Sequence, residues 1–172
     1  MNSVITLFWN ICRFRAAPQD LPTSASLLWM MVIAHVIIGT CAAGVHLSPG
    51  PALASAILNV GVLAGVVRLT LWVRELDVRM NQTLTSILGT GILFGLILVP
   101  LLWWQLSYED IRQALLPSFF GVALFVWQLA VIGHILRHAV NVAFYVGVGL
   151  AILYAYIADS VFRSFFTIPT AQ

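Results

Sequence analysis

Residues 21–67 read LPTSASLLWMMVIAHVIIGTCAAGVHLSPGPALASAILNVGVLAGVV, a stretch without a single Asp, Glu, Lys or Arg. Its one break is Gly44-Val45-His46-Leu47-Ser48-Pro49-Gly50-Pro51, a cluster of turn formers between two apolar blocks. Crossing about 30 Å of hydrocarbon takes about 20 helical residues at 1.5 Å each. The stretch therefore predicts a hairpin of two transmembrane helices, at about 25–43 and 52–73.

The same reading extends toward the C-terminus. Charges gather in Arg74-Glu75-Leu76-Asp77-Val78-Arg79, after which 84–104 is again free of charge and forms a third span. Pro100 lies close to that span's end, where water satisfies the carbonyl it leaves free, so at most a kink is expected. The loop 105–116 carries Glu109, Asp110 and Arg112, and Pro117 then suits a helical first turn, because its missing N–H has no partner there anyway. Spans four and five are expected at about 117–136 and 139–162, with Arg137 and His138 as the strongly polar residues between them.

Residues 1–20 behave differently. Leu7, Phe8, Trp9, Ile11 and Phe14 form an apolar core too short to cross a bilayer, followed by Arg13, Arg15 and Pro18. An interfacial helix with Trp9 at headgroup depth is expected. No basic residue leads the stretch and no small-residue cleavage site follows it, so it is read as retained and not as a signal peptide.

Composition agrees with a chain whose solvent is lipid. Of 172 residues, 61% are hydrophobic and 8% charged, with mean hydropathy +1.00; soluble domains carry about 25% charged residues. The expected fold is an all-α integral membrane protein, one bundle over 1–172 with about five transmembrane helices and an N-terminal interfacial helix. Eight arginines against six acids, with no lysine, are scattered in ones and twos, which excludes a nucleic-acid patch. Cys12 and Cys41 fall at opposite sides of the bilayer and predict two free thiols.

Arginine placement sets orientation. With the N-terminus inside, Arg13, Arg15, Arg68, Arg74, Arg79 and Arg137 lie at or near the cytoplasmic side and Arg112 and Arg163 outside. A bacterial inner-membrane location with a cytoplasmic N-terminus and a periplasmic C-terminus follows as the expectation.

Few residues offer chemistry. His35 sits near the middle of the first span, with Asn59 and Gln128 at similar depth, and a polar group there must face a partner or a cavity. These three form a candidate intramembrane polar cluster, against the plainer reading that they hydrogen-bond helices together. Arg68, His134 and His138 form a candidate site on the cytoplasmic side. His134 and His138 share a helix face at metal-compatible spacing, but no acidic or thiol partners accompany them. His35 and His134 differ in depth, which disfavours a bis-histidine haem, and His46 falls in an outer loop. Asp159 and Arg163 are explained by an i,i+4 pair. Gly61 with Gly65, Gly91 with Gly95, and Gly147 with Ala143 and Ala151 recur at the spacing that lets membrane helices approach closely. No phosphate loop, nucleophile elbow, zinc-protease helix, paired intramembrane carboxylates or repeated halves occur. No catalytic residue, metal or cofactor is therefore expected.

The segment Phe14-Arg15-Ala16-Ala17-Pro18-Gln19-Asp20-Leu21-Pro22, followed by Ser24 and an apolar helix, resembles a group of small, largely uncharacterised proteobacterial inner-membrane proteins. More loosely, five spans with the N-terminus inside are similar to the Yip family of bundles, which is associated with membrane organisation. Physically, Pro18 and Pro22 stop a helix, and Asp20 or Ser24 can cap the first span.

Taken together, these residues lead first to a non-catalytic membrane subunit or assembly factor, docked onto other integral membrane subunits in the lipid bilayer. A small transporter or channel for a neutral or lipophilic solute, lined by His35, Asn59 and Gln128, is the alternative. A redox subunit holding haem or quinone is the third.

Overall fold

A computed structural model describes residues 4–108 and 114–166. Six helices form: α1 (Val4–Cys12), α2 (Ala25–Ala43), α3 (Pro49–Val73), α4 (Met80–Leu106), α5 (Leu115–Val140) and α6 (Phe144–Phe165). Three-residue 3-10 turns stand at Pro18–Asp20 and Asp77–Arg79, and no strand occurs among the described residues. Helices α2 to α6 are each long and apolar enough to cross a membrane. The chain is an all-α membrane protein, and the loop charges Glu109, Asp110 and Arg112 lie outside the described residues.

Local chemistry explains the helix ends. Ser24 caps α2, its hydroxyl accepting from the Leu27 N–H at 3.3 Å. Asp20 instead accepts from the Ala17 N–H at 2.8 Å and closes the first 3-10 turn. Helix α3 starts at Pro49, three residues before the expected 52, because proline's fixed φ suits a first helical position. Helix α4 runs unbroken through Pro100.

The α5–α6 connection differs from the sequence expectation. Arg137 and His138 belong to the last turn of α5, and the connection is Asn141-Val142-Ala143. Asn141 adopts φ 54°, a left-handed conformation asparagine tolerates, which turns the N–H groups of Asn141 and Val142 back onto the Arg137 carbonyl. Arg79, from the turn before α4, supplies the rest of the cap: its Nη1 donates to the carbonyls of His138 at 3.2 Å and Ala139 at 3.0 Å, and to Asn141 Oδ1 at 3.3 Å. A guanidinium there complements the negative end of the helix dipole.

The five long helices close into a ring in the order α2, α3, α6, α5, α4, each packed on its two neighbours. Helix α4 is the most buried of them. Its Thr83, Ser86 and Thr90 are buried, with hydroxyls returned to carbonyls one turn earlier, so this helix presents small side chains without orphaned polar atoms. Small residues set the approaches. A Cβ on Gly133 would stand 2.8 Å from the Val148 backbone, and one on Gly147 would collide with the Gly133 carbonyl. Gly91 accepts the His35 ring against its backbone, and Gly95 the Ile38 side chain. A Cβ on Gly61 or Gly65 would meet no described residue within 4 Å, and both glycines are exposed on α3.

At nine residues α1 cannot span. Its Phe8, Ile11 and Cys12 are buried against α4 and α5, with the Phe8 ring seated on Gly89, roughly 13 Å along α4 from its start. Ile5 and Trp9, on its other side, are exposed. The Trp127 indole N–H donates to the Cys12 carbonyl at 3.0 Å and holds the end of α1 in place. Cys12 and Cys41 are free thiols, and burial pushes the Cys12 thiol up to about 11.

Candidate functional site

The ring of helices leaves a cavity of about 380 Å³ lined by His35 from α2, Asn59 and Leu63 from α3, Ile87 from α4, Gln128 and its neighbours from α5, and Tyr154 and Asp159 from α6. Every spanning helix thus contributes to one chamber. His35, Asn59, Gln128 and Tyr154 each lie more than about 12 Å, in helix rise, from either end of their own helix.

Two hydrogen bonds tie helices together along the wall. The Tyr154 hydroxyl donates to Asn59 Oδ1 at 3.3 Å, and Asn59 and His35 line the same cavity. His35 Nδ1 stands 3.3 Å from the Leu88 carbonyl, a contact that requires Nδ1–H as donor. Gln128 faces the same cavity and makes no hydrogen bond to any described residue. Asp159 rims the chamber nearer the end of α6 and is paired with Arg163, Nε to Oδ2 2.8 Å, both side chains largely exposed.

The arrangement offers neutral donors and acceptors, with the one carboxylate already paired. It also offers apolar wall in Leu63, Ile87, Phe125, Leu129 and Ile132. Its volume falls within the roughly 300–1,000 Å³ of small-molecule sites. Tyr154 and Asp159 escape a sequence reading that weighs His, Asn and Gln first. The signal for Tyr154 is its position, ten residues into a 22-residue span.

The other candidate set divides. His134 and His138 lie together, ring centroids 4.7 Å apart, whereas Arg68 is exposed on α3 and lines no part of their pocket. His134 is 3% exposed and gives Nε2–H to the Ala16 carbonyl at 3.0 Å, with the Phe14 ring edge-on at 5.2 Å. The buried imidazole pins the chain that follows α1. Among the described residues no three His, Cys, Asp or Glu side chains gather as a metal would need. Phe14 has φ 60°, a strained conformation for a bulky residue that costs on the order of 1–3 kcal/mol. His46 is exposed in the α2–α3 turn.

No known protein family, curated protein or solved structure matches this chain.

Proposed function

We propose that this protein is a non-enzymatic carrier or channel for a small neutral solute in the bacterial inner membrane, with its N-terminus cytoplasmic and its C-terminus periplasmic. The carrying observation is the chamber itself, in which polar side chains from four of the five ring helices meet at mid-height. Polar groups at that depth are costly in a bundle that only needs to pack. Gln128, which lines the chamber and has no hydrogen-bond partner among the described residues, is left for water or solute. The neutral lining favours uncharged hydrogen-bonding molecules, and Asp159 with Arg163 marks the mouth at the outer end. The orientation draws its support from the arginines gathered at the other end.

Stopped-flow light scattering of proteoliposomes under urea and glycerol gradients tests this. The wild-type chain is expected to speed solute entry over protein-free vesicles, and a folded His35→Leu/Asn59→Leu/Gln128→Leu variant is expected to remove the gain. Equal rates in all three preparations refute the carrier.

A second reading, a subunit of a larger membrane complex, is favoured by α3. Gly61 and Gly65 stand one turn apart on its outward side with open space before them, the kind of face against which another helix packs closely. Solubilisation from native membranes in mild detergent distinguishes the two: Gly61→Leu/Gly65→Leu is expected to release a co-purifying partner if the face is occupied, and a wild-type chain recovered alone removes this reading.

A further inference from the structure

We propose that the arginine-rich end of the bundle holds a phosphate group between Arg15 and Arg137, supplied by an anionic lipid headgroup or by free phosphate. A pocket of about 330 Å³, separate from the central chamber, lies between the 14–17 segment and the last turn of α5. Arg15, Arg137, His134 and His138 line it together with Asp20.

Its cations are uncommitted. The one ion pair among the described residues joins Arg163 to Asp159 at the other end of the bundle, so neither Arg15 nor Arg137 has a carboxylate within 4.0 Å. Arg137 Nε is buried with no hydrogen-bond partner among the described residues, while its guanidinium carbon sits 5.6 Å above the Phe144 ring, which holds the group in place. The Ala16 N–H on the same wall has no acceptor among the described residues. Asp20, the one acid on the wall, is engaged by the Ala17 N–H at 2.8 Å.

The negative end of α5 would repel an anion here, but its carbonyls are already covered. Arg79 binds those of His138 and Ala139, and Gln19 Nε2 donates to that of His138 at 2.7 Å. Two guanidiniums without a carboxylate partner, one of them held over the Phe144 ring, match the several oxygens of a phosphate better than a single carboxylate does. The pocket opens where a bundle of this length meets the headgroup layer, and basic pockets between helices at that level hold anionic lipids. Phe14, in a left-handed conformation and packed edge-on to His134, sets Arg15 beside it on the pocket wall.

Native mass spectrometry of the full chain in neutral detergent tests the site, with phosphatidylglycerol, phosphatidylcholine and inorganic phosphate as probes. The wild type is expected to retain phosphatidylglycerol over phosphatidylcholine. Arg15→Gln is expected to lower that occupancy roughly fivefold or more, the worth of one guanidinium near a charged surface. Arg15 is exposed, so its loss leaves the fold intact, and Arg68→Gln, which removes an arginine outside the pocket, is expected to change nothing. Displacement by millimolar inorganic phosphate in an Arg15-dependent way assigns the site to the free anion; persistence of the lipid adduct assigns it to the headgroup. Equal occupancy in wild type, Arg15→Gln and Arg68→Gln, or no adduct with either phosphatidylglycerol or inorganic phosphate, overturns the proposal. None of these outcomes depends on whether the central chamber passes a solute.

Discussion

The Tyr154 hydroxyl reaches Asn59 Oδ1 at 3.3 Å, joining α6 to α3 on the chamber wall at the height of His35. On the same wall His35 Nδ1 reaches the Leu88 carbonyl at 3.3 Å, joining α2 to α4. On α5, Gln128 makes no hydrogen bond to any described residue.

Tyr154→Phe deletes the first donor while keeping the ring. Asn59 then loses its acceptor's partner, and a loss of about 0.5–2 kcal/mol is expected in reversible unfolding in detergent micelles. Gln128→Leu removes no protein hydrogen bond and is expected to leave that stability unchanged while impairing solute entry, which separates the structural role from the proposed functional one.

Arg79→Ala exposes the last carbonyls of α5. A loss of about 1–2 kcal/mol is expected, in line with a cation at a partly buried helix C-terminus. Hydrogen exchange should localise the effect to amides around 139–146. Exchange that rises uniformly over α2 and α3 instead would show that Arg79 does not act as this cap.

Two glycine substitutions of the same chemistry should diverge. Gly147→Ala drives a Cβ into the Gly133 carbonyl and is expected to cost about 1–3 kcal/mol, whereas Gly61→Ala meets open space and is expected to be neutral or slightly stabilising in the isolated protein. Thermal unfolding in detergent reads both.

Cys12 and Cys41 should differ in reactivity. Cys12 is buried and its thiol, normally titrating at 9.0, is pushed up to about 11, while Cys41 is exposed on α2. Because the folded state keeps the proton longer than the unfolded one, Cys12 leaves stability intact below pH 9 and erodes it as pH rises from 9 through 11. Cys12→Ala is expected to flatten that decline, and alkylation at pH 8 should modify Cys41 far faster than Cys12. Equal alkylation rates would contradict the packing of α1.

The five spans were legible because charge-free stretches of about 20 residues have few alternatives. Depth matching also placed His35, Asn59 and Gln128 near one another. What the sequence did not disclose depends on side-chain direction and on contacts between distant segments. Arg137 and His138 look like a loop in sequence and put the end of α5 four residues early, whereas Asn141 is the residue that can turn left-handed and Arg79, far away in the chain, supplies the cap. Burial of α1 against Gly89 required knowing that α4 turns its smallest side chains toward it. Depth alone groups Arg68 with the histidines, and its exposed position on α3 sends it elsewhere. Gly61 and Gly91 carry the same spacing signal, yet one faces open space and the other His35.

The central claim, a solvent-reachable polar chamber inside the ring at mid-height, is tested most directly by cysteine accessibility at two neighbours on α5. Gln128 lines the chamber and Val126 is exposed on the outside of the bundle. In a Cys41→Ala background reconstituted in liposomes, a small charged methanethiosulfonate is predicted to modify Gln128→Cys and to leave Val126→Cys untouched in the surrounding hydrocarbon. Modification of Val126→Cys with Gln128→Cys inert would contradict the account.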